Sequence, residues 1–387
     1  MMKIKLILLI SFITFYCKSQ EYKLYEFDPR ALTKNKITLA NIADDIYYIP
    51  LDNKFPISDI FTPKITTNSI FLYTPNGLIA FNRDGKMPKK IGNIGRGPEE
   101  YLSGINFAID VKHETVYILN RDNLIKVYSR KGDYIRSISL HENLGVPDLI
   151  NIFNSKIFMS YLLQINDAKY NWIILDSIGN IINKKERSIP HFTSNFGTNA
   201  GTYFFNNNLH YWNPWVDTVF SILPDLSYKA SFILMPGEHR LPKSNFNPSR
   251  PPNMIMHIRM IFETSNFLIV RYDYVRPIIS LIDKKSRKSF LAYADQDGDK
   301  LKGDDFGGIL NDIDGGINFI PSGYFVENGR EFMFALINSY QIKNLVVKSE
   351  FKNFIPKNID KKKEFENLAD LLKETDNPVL VLVRLKK

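Results

Sequence analysis

The sequence predicts an all-β chain closed into a six-bladed β-propeller, and three observations carry that prediction. A unit of two β-rich runs around a tight turn recurs as "GLIAFNRDGKMPKKIG", "NLIKVYSRKGDYIRSISL", "NWIILDSIGNIINKKERSI", "DTVFSILPDLSYKASFIL" and "PIISLIDKKSRKSFLAY". Its turn glycines Gly85, Gly132 and Gly179 fall 47 residues apart, 47 more reaches Leu226 in the "PDLS" turn, and the fifth copy turns 59 later at Lys285. Strand-like sequence is also left over at both ends, as "DIYYIPL" and "PVLVLVRLK". A period in the forties with about four short strands per unit is that of a propeller blade. Glycine between alternating apolar runs marks the hairpins, because a tight turn needs positive φ.

The elements follow in chain order. Residues 1–19 carry Lys3 and Lys5, an apolar run from Leu6 to Ile13, and then Cys17 and Ser19 at the spacing of an export cleavage site. Two outcomes are open: cleavage after Ser19, leaving Gln20 first, or acylation of Cys17 as a lipid anchor, against which stand the bulky Phe15 and Tyr16. Cys17 is the single cysteine, so the exported chain has no disulfide. No later run approaches the roughly 18 apolar residues of a membrane helix. The expected location is the periplasm or the outer membrane, touched only through a lipid anchor.

Residues 20–387 are read as one propeller. The second blade runs "INFAIDV", "ETVYILN", "NLIKVYS", "YIRSISL", and the fifth "MIMHIRMIFE", "NFLIVRYD", "PIISLID", "RKSFLAY". A sixth blade is assembled from "GGINFI", "REFMFALI" and the closing strand 378–386, with "DIYYIPL" as its outer strand. Closing the ring in this way removes two open sheet edges. A helical insertion spans about 338–374, where Phe365, Leu368, Ala369 and Leu372 form one apolar stripe at i, i+3, i+4 and i+7.

Four stretches, "LANIADDIYYIPLD", "IGNIGRGPEEY", "NDIDGGINFIP" and "ETDNPVLVLVRLK", span nearly the whole chain in that order. On these the chain resembles the bacterial family of exported six-bladed β-propellers, relatives of the NHL and TolB-like propellers often found with outer-membrane nutrient-uptake systems. Glu99 stands where that pattern often has glycine. The resemblance implies the fold and carries no settled activity.

Function is read from composition and loops. The formal charge of +9 falls to +6 without Lys3, Lys5 and Lys18, and the basic residues are scattered, which argues against nucleic acid. The glycines of "IGNIGRGPEEY" invite a phosphate reading, but Pro98 and a following strand replace the Lys-Ser/Thr and helix that a phosphate loop needs. A blade-to-blade crossover accounts for them, with Arg96, Glu100 and Tyr101 as candidates to line a ligand site. Strand direction places the crossovers and the turns between second and third strands on one face, which collects the long loops. That face is expected to hold Trp212 and Trp215 as stacking platforms, Asp217 and Arg276 as polar anchors, and Tyr272 at the channel mouth.

No cofactor is expected. Asp295, Asp297 and Asp299 suggest calcium, although Lys300 and Phe306 stand where an EF-hand needs glycine and glutamate. His191, His210, His239 and His257 show no metal-binding spacing, and no nucleophile elbow is present. Two function classes remain. One is a monomeric envelope recognition module for a glycan, peptide or protein partner. The other is an envelope hydrolase or lyase assembled from channel-lining residues.

Overall fold

A computed structural model describes residues 23–26, 28, 30, 32, 35–120, 123–140, 144–165, 167–244, 254–294 and 307–387. The expected export segment with Cys17 and the acidic stretch with Asp295, Asp297 and Asp299 lie outside the described residues.

Six small antiparallel sheets make the ring. Two short strands precede the blades: β1 (Lys23–Glu26) and, after the one-turn helix α1 (Leu39–Ile42), β2 (Ala43–Pro50). Blade 1 holds β3 (Thr62–Ile65), β4 (Ser69–Thr74), β5 (Gly77–Asn82) and β6 (Lys89–Lys90). Blade 2 holds β7 (Phe107–Asp110), β8 (Thr115–Leu119), β9 (Leu124–Ser129) and β10 (Tyr134–Ser139). Blade 3 holds β11 (Pro147–Phe153), β12 (Lys156–Tyr161), β13 (Tyr170–Leu175) and β14 (Ile181–Glu186). Blade 4 holds β15 (Gly201–Phe205), β16 (Asn208–Asn213), β17 (Val216–Ile222) and β18 (Tyr228–Met235). Blade 5 holds β19 (His257–Glu263), β20 (Phe267–Tyr274), β21 (Arg276–Asp283) and β22 (Ser289–Tyr293). Blade 6 combines β23 (Gly323–Glu327), β24 (Arg330–Ile337) and β25 (Val379–Leu385) with β2 from the other end of the chain.

The period of 47 has a physical cause beyond turn geometry. Gly85, Gly132 and Gly179 adopt φ of 78°, 102° and 101°, the region favouring glycine. Each also touches the preceding blade. A Cβ at Gly85 would lie 2.4 Å from the Pro50 carbonyl, and one at Gly132 2.3 Å from that of Lys90. Leu226 takes the same turn with φ of 69°, showing that the left-handed geometry persists where glycine is lost.

The apolar alternation along the strands is spent between blades. Ile118 and Tyr128 of blade 2 join Phe71 and Leu78 of blade 1 in one boundary core. Trp172 on β13 is fully buried, with Tyr211 at 5.1 Å and Phe220 at 5.3 Å across the boundary to blade 4. Burying one such ring is worth roughly 1.5–3 kcal/mol. The largest cluster joins blades 4, 5 and 6 to the helices α2 (Ser339–Val346), α3 (Ser349–Asn353) and α4 (Ile359–Leu371). These helices lie between β24 and β25, where the insertion was expected, and the stripe residues Phe365, Ala369 and Leu372 are buried.

Closure runs through β2. It pairs antiparallel with β25, Ile46 opposite Val383 and Tyr48 opposite Val381. Arg384 reaches across to Asp44 at 2.6 Å and the Tyr47 hydroxyl at 2.7 Å. Asn377 fastens the approach to β2, donating to the Asp52 and Phe55 carbonyls and accepting from the Ile57 amide. On the other side Tyr48 donates to the buried Asp314 at 2.7 Å, which also accepts from Asn311 and the Gly316 amide.

Two details depart from the expected layout. The inner strand of blade 6 is β23, downstream of "GGINFI", because Asp314 holds that segment as a turn and Phe319 pairs with Ile309 instead of with β24. The strand β1, for which the sequence offered no repeat partner, adds to blade 4 in parallel with β18.

Because β2 supplies the outer strand of the last blade, a chain lacking residues 20–52 should melt at a lower temperature and less cooperatively than the full-length protein. An unchanged calorimetric transition in the shortened chain would contradict closure through β2.

Candidate functional site

The crossover "IGNIGRGPEEY" is held by its own groups. The Gly97 amide donates to Glu100 Oε2 at 2.8 Å, the Gly95 amide to the Tyr101 carbonyl at 3.0 Å, and Leu78 N to the Tyr101 hydroxyl at 2.9 Å. Lys126 and Tyr128 of blade 2 donate to the carbonyls of Pro98 and Glu99. The Glu100 carboxylate therefore occupies the place an anion would take, and burial pushes the fully enclosed Tyr101 phenol up to about 12. Arg96 stays exposed on this loop.

The other expected site residues are dispersed. Trp212 is 5% exposed, inside the boundary of blades 4 and 5, and so close to Gly201 that a Cβ there would lie 2.3 Å from its ring. Trp215 is 4% exposed, with Phe192 at 4.9 Å and its Nε1 donating to Gln164 Oε1 at 3.2 Å. A stacking platform needs a solvent-facing ring, and neither residue offers one. Asp217 is paired with Arg240 at 2.7 Å, Tyr272 is fully buried, and the Arg276 guanidinium lies 3.6 Å from the centre of the Tyr293 ring. Arg96, Glu100 and Tyr101 belong to the crossover from blade 1 to blade 2, whereas Tyr272 and Arg276 belong to blade 5.

A different region gathers unspent polar groups. Between blades 4 and 5, toward the face of the short hairpin turns, lies a pocket of about 320 Å³. A hollow between blades 1 and 2, by contrast, has about 20 Å³, room for a water molecule. The larger pocket is built by strand register. Tyr203 pairs with His210, His210 with Ser221 and Ser221 with Lys229. Directly opposed residues share one face of a sheet, so four polar side chains run in a row from the inner strand to the outer edge. The Asn206–Asn207 turn, with φ of 49° and 59°, starts β16 in the register that places His210 there. The strand β1 supplies Lys23 and Tyr25 along the rim.

Blade 5 contributes the floor. Glu263, at the end of β19, accepts from the Tyr203 hydroxyl at 2.8 Å and pairs with Lys284 at 2.6 Å. Lys284 also donates to the Thr264 carbonyl at 2.7 Å and lies 3.8 Å from the centre of the Phe205 ring. Burial lowers the Lys284 pKa, offset in part by Glu263, while burial and then Glu263 raise that of Tyr203 well above its ordinary value. Removing either member of a buried pair of this kind costs about 3–5 kcal/mol.

His210 is stacked on Tyr203 at 4.7 Å and is 4% exposed. Its Nδ1 lies 3.8 Å from Glu263 Oε1, beyond hydrogen-bond reach, and its interaction with the Phe205 main chain falls short of good hydrogen-bond geometry. Ser221 beside it is 2% exposed, and its hydroxyl is likewise unpartnered. Burial lowers the His210 pKa against the pull of Glu263 and the Phe205 main chain, so the ring is neutral near pH 7. Two buried polar groups left unmatched cost about 1–3 kcal/mol each. Trp172 Nε1 and Tyr161 Oη are also unmatched, but they sit within inter-blade cores. Sequence reading named His210 only as a histidine without metal spacing and passed over Ser221, Glu263, Lys229 and Lys284. No local signal marks them, since cross-strand register and blade docking bring them together.

Six units of four strands around a ring, one of them extended by β1, define the molecule as a six-bladed β-propeller. The chain belongs to the family described as a domain of unknown function, DUF4934, whose pattern matches residues 24–384. No curated protein matches it. A protein of Bacteroides fragilis designated as exported aligns over 94% of this chain and 100% of its own, at 14% identity and a TM-score of 0.66. A DUF4221 family member from Bacteroides vulgatus aligns over 89% and 97% at 12% identity and a TM-score of 0.46. The virginiamycin B lyase of Staphylococcus aureus does so over 88% and 98% at 11% identity and 0.41. Only the first likeness is close enough to support an argument, and it supports the fold alone.

Two blade-boundary histidines shape the response to acid. Burial, helped by Arg259, pushes the His257 pKa from its ordinary 6.5 down to about 4, and His210 is shifted the same way. The folded state thus resists protons that the unfolded chain accepts. The stability involved is fully present above about pH 6.5 and is lost as pH falls towards 4. Urea unfolding should show wild type losing on the order of 1 kcal/mol more between pH 7 and pH 5 than His257→Gln, allowing for the partial exposure of the ring. Equal losses in the two proteins would contradict this account.

Proposed function

We propose that the protein is an exported, non-catalytic recognition module of the cell envelope, kin to the NHL and TolB-like propellers, and that its ligand site is the pocket between blades 4 and 5. The observation carrying this reading is the pair His210 and Ser221, whose buried polar atoms lack good hydrogen bonds just beneath the wall of a cavity in the size range of small-molecule sites. A fold retains such a loss of stability where a ligand completes the missing bonds. A glycan unit or a peptide end offers the donors and acceptors that would do so. Ser221, His210 and Glu263 have the composition of an acyl-transfer triad. However, no hydrogen bond joins Ser221 to His210, and the Glu263 oxygen nearest the ring is engaged by Tyr203. The arrangement therefore favours binding over hydrolysis.

The double variant His210→Phe, Ser221→Ala keeps an aromatic ring and removes both unmatched groups, the larger Phe ring having the adjoining cavity to extend into. Without ligand it should be as stable as wild type or more so, by up to about 2 kcal/mol. Monosaccharides, uronates or short peptides should raise the melting temperature of wild type and not that of the variant. A destabilised variant, or a wild type unmoved by the whole panel, would overturn the assignment of this pocket.

Export rests on the charged, apolar and small segments of residues 1–19. Mass spectrometry of the protein from cell envelopes should find Gln20 or acylated Cys17 at its N-terminus. Intact Met1 on cytoplasmic protein would refute the localisation.

A further inference from the structure

Charge is distributed unevenly along the pocket. Its single lining carboxylate, Glu263, has both oxygens engaged, one by Tyr203 and one by Lys284. The mouth carries Lys229 on β18 and Lys23 on β1, both exposed, and neither makes a salt bridge among the described residues. From the inside outward, the row reads buried acid, neutral imidazole, hydroxyl, ammonium. A ligand matching it needs neutral groups that both donate and accept at its inner end, and negative charge at its outer end.

We infer that the pocket between blades 4 and 5 holds an acidic monosaccharide unit, its hydroxyls against the wall formed by His210 and Ser221, whose polar atoms a small side-chain shift would bring to it, and its carboxylate at Lys229 and Lys23. The inference rests on the reading that this pocket is the binding site. A neutral imidazole presents one N–H and one bare nitrogen, and a serine hydroxyl donates and accepts, so together they complement sugar hydroxyls. A carboxylate pushed to the inner end would face the Glu263 charge, whereas at the mouth it meets two ammonium groups. The Asn206 and Asn208 amides add further donors and acceptors at the rim. The volume of about 320 Å³ suits one sugar unit rather than a chain, which places the recognised residue at a chain end or free in solution.

The test is calorimetric titration of the full-length protein with D-glucuronate, D-galacturonate, D-glucose and D-glucose 6-phosphate. It is run on wild type, Lys229→Gln, Lys23→Gln and the double variant His210→Phe, Ser221→Ala. At least one uronate should bind wild type about tenfold or more tighter than glucose and more weakly as salt rises. Each lysine substitution should weaken that uronate by about threefold to tenfold while leaving glucose unchanged. The double variant should lose both sugars.

Equal affinity for glucose and the uronates, with both lost in the double variant, would overturn the acidic ligand and leave the pocket assignment standing. Preference for glucose 6-phosphate would replace the carboxylate by a phosphate and also overturn the inference. Uronate binding that survives in the double variant, or no binding by any of the four sugars, would remove the sugar site itself.

Discussion

A ring of sheets holds together only if its first and last blades are joined, because each blade buries its faces solely against its neighbours. Here the join is the antiparallel pairing of β2 with β25, residues 329 to 342 positions apart in sequence. The pairing gives both terminal strands a partner, with β25 enclosed inside the sheet and β2 as its outer strand, and it orders the boundary cores on both sides. One side is the cluster of Leu51, Leu72, Phe81, Phe334 and Leu382 between blades 6 and 1. The other contains Ile46, Val381 and Val383, together with the helices and blade 5. Asp314 adds a second tie. Its raised pKa, caused by burial, sets a cost that the hydrogen bonds from Tyr48, Asn311 and Gly316 offset.

The boundary between blades 4 and 5 depends on this closure yet differs from the others. Its upper part is apolar, with Trp212, Val219, Phe232 and Ile261 packed together. Its lower part is polar and incompletely matched. Glu263, Lys284 and Tyr203 satisfy one another, whereas His210 and Ser221 do not. The same sheet thus changes from core to cavity within two or three residues along each strand. The additional strand β1 makes the cavity a pocket, since Tyr25 packs edge-on against Phe232 at 5.4 Å and carries Lys23 to the rim.

Loops that look chemical in sequence can be structural. In "IGNIGRGPEEY" the Gly97 amide is taken by Glu100 and the Gly95 amide by the Tyr101 carbonyl, so these donors are already spent inside the loop. The tryptophans of "HYWNPWVD" fill volume between blades. Gly201 makes room for Trp212, and Gln164 Oε1 accepts a hydrogen bond from the Trp215 indole N–H. Aromatic and glycine content reports that a sharp crossover or a wide gap must be filled. It does not report which side of the ring reaches water.

The sequence by itself determined the propeller, the blade spacing, the helical insertion and the closing strand. Each of these rests on local periodicity: left-handed turns at Gly85, Gly132 and Gly179, alternation along strands, and the 3.6-residue stripe of α4. Only the tertiary structure decided which polar groups meet. His210 and Ser221 face each other across the β16–β17 hairpin, Glu263 lies in blade 5, and each alone reads as an ordinary strand residue. The register of β15 to β18 and the docking of β19 turn them to one cavity, and those distances depend on how twisted sheets pack rather than on the order of residues. The parallel addition of β1 was likewise hidden, because a four-residue strand has no periodicity to read and its partner edge exists only once blade 4 has folded.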